Sequence, residues 1–133
     1  MQSKLCTQAD IEAEWYRYWC GRLHVPATYV RKYWEYGYVL QVLWEAGKLS
    51  PDNKGLGFAV GTEPLPSYFA SQNIKVLATD LAEQDARSAA WQATNEHSKS
   101  LDQLFWPDIV SRDKFLEFCS FQSVDMNAIP TNL

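Results

Sequence analysis

Gly55-Leu56-Gly57-Phe58-Ala59-Val60-Gly61-Thr62-Glu63-Pro64-Leu65-Pro66 and, a short way on, Ile74-Lys75-Val76-Leu77-Ala78-Thr79-Asp80 are the stretches on which the fold turns. The first is a short apolar run ending at Gly61, followed by a helix start at Pro64 or Pro66 that leads into Tyr68-Phe69-Ala70. Proline fits the first helical turn because that turn has no use for its missing N–H. The second stretch is apolar, β-branched and closed by an acid, which reads as a strand. Strand, glycine turn, helix and a strand ending in Asp is the sequence form of a mononucleotide-binding βαβ half. Asp80 follows Gly61 by 19 positions, close to the roughly 20 that ribose binding asks for. The three-glycine G-x-G-x-x-G fingerprint is absent, because the turn holds Gly57, Ala59, Gly61 and Glu63. Spacing alone therefore leaves open both a nucleoside site and an ordinary parallel sheet.

Upstream, Thr7 with Asp10 forms a capping-box pattern, and Ile11, Trp15, Tyr18 and Trp19 recur at helical spacing, predicting a helix over 7–20. Tyr29, Tyr33, Tyr36, Leu40 and Leu43 make a second stripe, predicting a helix over 28–46 that stops at Gly47. Ser50-Pro51-Asp52-Asn53 is a turn and marks a boundary between a helical extension, 1–49, and a second unit, 50–133. Downstream, 82–93 reads as a helix with a small-residue face at Ala86, Ala89, Ala90 and Ala93. Leu101 to Trp106 follow as a short turn, Ser111 caps a last helix through Phe118, and Phe121 to Met126 form a third strand.

Composition narrows the function. Twelve Lys plus Arg against 16 Asp plus Glu give a formal charge of -4, with no basic cluster to track a phosphate backbone, so nucleic acid is not the expected partner. No apolar run reaches the length that spans a bilayer, and Met1 to Asp10 lack a signal peptide's apolar stretch, so a cytoplasmic protein off the membrane is expected. Cys6, Cys20 and Cys119 are widely spaced and odd in number, which points to free thiols instead of a disulfide frame or a zinc site. His24 and His97 are isolated, so no metal site is expected. Neither a Gly-Lys-Ser/Thr phosphate loop nor a Gly-x-Ser-x-Gly elbow occurs.

The turn Gly55 to Pro66, then Ala78-Thr79-Asp80-Leu81, then Trp91, Thr94, Asn95 and His97, and finally Val124-Asp125-Met126-Asn127-Ala128-Ile129-Pro130 resemble class I S-adenosylmethionine-dependent methyltransferases. The resemblance is to a bacterial branch with a G-L-G-F-G-V-G-x-E-P-L-P turn, whose N-terminal extension is similar to the segment around Arg31-Lys32-Tyr33-Trp34-Glu35. It implies an α/β fold, a partial Rossmann-like three-layer arrangement with about three parallel strands, preceded by two aromatic-rich helices. It implies S-adenosylmethionine as cofactor and a methyl acceptor the sequence does not name. Gly57, Ala59, Gly61 and Glu63 would surround the methionyl part, Asp80 with Leu81 the ribose, and Asp125 with Met126 the adenine.

Two departures from the branch have consequences. Ala59 stands where the branch has glycine, a cost if the backbone there takes positive φ. The strand that follows the Asp125-Met126 motif in the family is missing before Leu133, so the chain is expected to be a fragment, inactive alone, with no nameable catalytic residue. The first strand, apolar enough to be buried on both faces, would then lie at a sheet edge, open to pairing with another chain or to self-association.

Plainer readings stand beside these. Asp80 caps a turn, Asp125 makes an ordinary turn with Asn127, Glu63 favours a helix start, His97 is a hydrogen-bonded histidine, and Trp91 packs in a core. Alternatives for the whole are an NAD(P)-binding Rossmann oxidoreductase fragment and a non-enzymatic interaction module.

Overall fold

A computed structural model describes residues 4–94 and 96–133. Thr7 and Asp10 form the capping box: the Asp10 carboxylate accepts from the Thr7 amide at 3.0 Å, and Thr7 accepts from the Asp10 amide. The predicted first helix is two, α1 (Gln8–Glu12) and α2 (Glu14–Arg22), broken where Ala13 is extended at ψ 148. Neither proline nor glycine marks that break. Helix α3 (Arg31–Glu45) begins after Tyr29, which is left exposed, and stops as expected at Gly47 with φ +65. Its buried line is Trp34, Gly37 and Leu40, which shares Leu40 with the predicted stripe, while Tyr33 and Tyr36 are only partly buried against the same core.

The second unit is α/β. Strands β1 (Lys54–Gly57), β2 (Lys75–Asp80) and β3 (Cys119–Ser123) form one parallel sheet in the order β1-β2-β3. Helix α4 (Leu65–Ser71) connects the first pair. The second connection carries a 3₁₀ turn (Ala86–Ser88), α5 (Ala89–Ala93), another 3₁₀ turn (Leu101–Leu104) and α6 (Arg112–Phe118). The predicted helix over 82–93 is shorter because Asp85 accepts from the Arg87 amide at 2.9 Å and delays its start. Its alanines are exposed, so they are not a packing face.

Strand β3 starts directly after α6, earlier than the predicted 121–126. Its register runs from Val76 opposite Cys119 to Asp80 opposite Ser123, which leaves Val124 to Asn127 as a loop beyond the strand ends. Register puts Val76, Ala78, Cys119 and Phe121 on one face, where they pack with α4 and α6 around Phe115. On the opposite face Leu56 is 48% exposed, and Ser120 and Gln122 are exposed too. Of the three expected layers, sheet and one helical layer are found among the described residues. Strand β1 does lie at a sheet edge, but it is not buried on both faces.

A second core joins Tyr16, Trp19, Leu23, Trp34 and Leu40 of the helical extension to Leu65 and Tyr68 of α4. Tyr68 meets Trp19 edge-on at 5.9 Å. Leu49 and Phe69 pack against both cores, so the aromatic helices dock on the sheet's helix layer. Cys6, Cys20 and Cys119 are free thiols. No helix among the described residues is long and apolar enough to cross a membrane.

Candidate functional site

Parallel strands aim their last peptide groups at one end of the sheet, and ligands of open α/β sheets sit in the crevice there. At that end lies a cavity of about 300 Å³, at the lower limit of small-molecule sites. Its walls come from the β1 turn (Ala59), the end of β2 (Asp80, Leu81), the Arg87–Trp91 segment, the Glu96–His97 loop and the loop after β3 (Val124 to Asn127). A larger, open depression of about 830 Å³ lies at the strand starts, where Lys54, Lys75 and Lys114 mix with Asp52, Asp113 and Glu117. It is a solvated surface of both charges at the end of the sheet that such ligands avoid.

Asp80 organises the cavity. Its buried carboxylate accepts from three backbone amides: Gly61 at 3.0 Å and Ser98 at 3.1 Å on Oδ2, and Leu81 at 2.9 Å on Oδ1. One side chain thus ties the glycine turn and the 96–98 loop to the end of β2. A carboxylate has about four acceptor sites, so one remains, on Oδ1. The turn is fixed further by Thr79, whose hydroxyl donates to the Gly57 carbonyl at 2.9 Å and whose carbonyl accepts from the Val60 amide at 3.1 Å.

The turn needs left-handed backbone twice, at Ala59 (φ +50) and Gly61 (φ +55). A Cβ on Gly61 would sit 2.3 Å from the Glu96 carbonyl oxygen, so only glycine fits there. Ala59 takes the strained conformation with its methyl exposed. Its positive φ is the cost anticipated from the departure in sequence.

Asp125 is also engaged. Its Oδ1 accepts from the Asn127 amide at 2.9 Å and from the Asn127 side chain at 3.0 Å, and Oδ2 accepts from Arg87 Nη2 at 2.7 Å. The Asn127 amide and the Arg87 guanidinium hold its carboxyl below the ordinary range. Arg87 binds Asp85 as well, so the β3 loop is clasped to the 85–87 turn.

Five of the eight sequence-predicted residues, Ala59, Asp80, Leu81, Asp125 and Met126, line this one cavity. Gly57, Gly61 and Glu63 do not. Gly57 and Gly61 shape the turn behind the wall. Glu63 is half-buried; burial pushes its carboxyl up to about 7, with the Lys32 ammonium opposing and the Asp80 carboxylate adding to the rise.

Sequence reasoning placed Trp91 in a core, but it is 52% exposed on the cavity rim. A single Trp among the alanines of α5 was the available signal. His97 is buried and lines the cavity, with Nε2 2.8 Å from the Leu81 carbonyl oxygen. Arg87 went unnoticed because nothing along the chain ties it to Asp125. Asn95 lies outside the described residues.

Among the described residues no group of His, Cys, Asp and Glu could hold a metal ion. Compared with family models, curated proteins and solved structures, the chain gives no match.

Proposed function

We propose that this chain is the cofactor-binding part of a class I methyltransferase, holding S-adenosylmethionine at the carboxyl ends of its three parallel strands. The observation that supports this best is the convergence of residues far apart in sequence, Ala59, Asp80–Leu81 and Asp125–Met126, on one cavity. The residues present fit the ligand. The spare acceptor site on Asp80 Oδ1 suits a ribose hydroxyl, and the apolar side chains of Trp91, Val124 and Met126 suit a purine.

When bound, S-adenosylmethionine supplies a methyl group on a positively charged sulfur. The chain's own contribution is positioning, the main source of rate in such a transfer. The Asp80 amide clamp holds three walls in register without a ligand. The Arg87–Asp125 pair fixes a further wall, the loop after β3.

Titration with S-adenosylhomocysteine, followed through Trp fluorescence, tests the reading, because Trp91 stands on the cavity rim. A saturable change with this ligand and none with NADH is the expected result. A response to NADH alone would favour the oxidoreductase alternative. Silence to both in the folded chain would favour an interaction module, for which the outer edge of β1, unpaired among the described residues, is the supporting observation.

A further inference from the structure

The walls of the strand-end cavity are not held alike. Asp80 ties the glycine turn and the 96–98 loop to the end of β2. The loop after β3 is anchored by Val124, which is buried and whose amide donates to the Asp80 carbonyl at 2.8 Å. The wall formed by residues 82–94 has no such anchor. None of these residues belongs to either hydrophobic core, α5 has no buried residue, and Trp91 is 52% exposed. Ser88 is the one buried residue of the segment, and its hydroxyl is spent within it, donating to the Asp85 carbonyl at 2.7 Å.

The polar contacts that leave this segment go to two places. At its base the ends of the loop are drawn together: His97 Nε2 lies 2.8 Å from the Leu81 carbonyl oxygen, Lys99 pairs with Glu83 at 2.6 Å, and the Trp91 carbonyl accepts from the Glu96 amide at 2.8 Å. Away from that neck, one hydrogen-bonded contact among the described residues reaches another wall, Arg87 Nη2 to Asp125 Oδ2 at 2.7 Å. Arg87 also binds Asp85, with Nε 3.0 Å from Oδ1, so its guanidinium keeps a carboxylate on its own segment when Asp125 lets go. A segment with so few buried apolar contacts opens at lower cost than the sheet behind it. An exposed ion pair, weak by itself, then decides whether the segment stays down.

We infer that residues 82–94 are a lid on the cavity, hinged at the Leu81–His97 neck, and that the Arg87–Asp125 pair is the latch that holds it shut. The motion belongs to the empty chain, while its use in admitting an adenosyl compound rests on the reading above. The closed cavity, about 300 Å³, is at the lower limit of small-molecule sites. Entry of a nucleoside with an amino-acid tail requires a wall to move, and this is the wall free to do so.

Amide hydrogen exchange on the unliganded full chain, read residue by residue by NMR, tests the lid without any ligand. A five-residue helix is not stable by itself, so each opening unprotects its amides. The Ser88 and Thr94 amides are expected to exchange faster than those of Gly61 and Ser98 on Asp80. Arg87→Gln cuts the latch and should speed the lid amides by about two- to fivefold, leaving Gly61 and Ser98 unchanged. Asp125→Asn cuts it from the other side and should match. Added salt should speed the lid amides of the parent and not those of either variant. Lid amides as slow as those on Asp80, or unmoved by both variants, would overturn the inference. Stopped-flow binding of S-adenosylhomocysteine tests the gating. Arg87→Gln is expected to raise association and dissociation rates together, with affinity changing less than either. A faster dissociation with unchanged association would make Arg87 a ligand contact and overturn the latch. Absence of binding in the parent would overturn the adenosyl reading, and the exchange data would still decide the lid.

Discussion

Removing the Asp80 carboxylate would strip three backbone amides of their acceptor in a buried setting. Asp80→Asn offers those amides an NH₂ in place of one oxygen, and is expected to destabilise the chain by about 2 kcal/mol. A chemical-denaturation midpoint unchanged from the parent would contradict the clamp. The residue therefore cannot be tested as a ligand contact by simple deletion, since fold and site go together. Ala59 gives the opposite case. Its left-handed backbone is relieved by Ala59→Gly, by roughly 1 kcal/mol less the entropy glycine adds to the unfolded chain. A small rise in melting temperature is expected, and a fall would mean the methyl group makes a contact of value.

Glu63 links the turn to pH. Its carboxyl lies at about 7 in the folded chain against an ordinary 4.5, so the folded state binds a proton more tightly than the unfolded state. The stability this confers is complete below the unfolded value and is lost as pH rises through the folded one. Glu63→Gln is expected to flatten the loss between about pH 5 and about pH 8 and to gain on the order of 1 kcal/mol at the upper end. An identical pH profile for parent and variant in thermal melts would rule out this role. Should an amino group of the ligand dock against Glu63, binding near neutral pH will also release a proton, seen as buffer-dependent heat.

At the scale of elements, Tyr68 is the joint between the aromatic helices and the sheet's helix layer, being 4% exposed and in edge contact with Trp19. Tyr68→Ala opens a large void there and should cost about 3–5 kcal/mol. A loss under about 1 kcal/mol would mean that the helical extension is held elsewhere. The elements that were legible in the sequence carry local signals. The Thr7–Asp10 box, Gly47, the turn at Ser50–Asn53 and the strand ending at Asp80 each work through their own neighbours. The misplaced ones depend on distant partners. Strand β3 starts at Cys119 because pairing with Val76 sets its register, and α5 is short because the Asp85 side chain competes with the helix backbone. The break at Ala13 has no local signal at all.

In the whole molecule, the site joins chain segments that only the parallel topology brings together. Asp80 could be picked out as a strand-end acid and Asp125 through the resemblance, while the Arg87–Asp125 clasp could not. The topology is also why Trp91, a core residue on the plainer reading of the sequence, stands on a cavity rim. The Asp80 clamp and the Arg87 pair bring all three strand ends to one hollow, and the account depends on an adenosyl compound entering there. Amide chemical-shift mapping of S-adenosylhomocysteine on the isotope-labelled chain tests this most directly. The account predicts saturable shifts concentrated at Ala59, Leu81, His97 and Val124 to Asn127, with Lys54, Lys75 and Lys114 at the opposite end unmoved. Shifts centred on those lysines, or none from a folded chain at millimolar ligand, would contradict it.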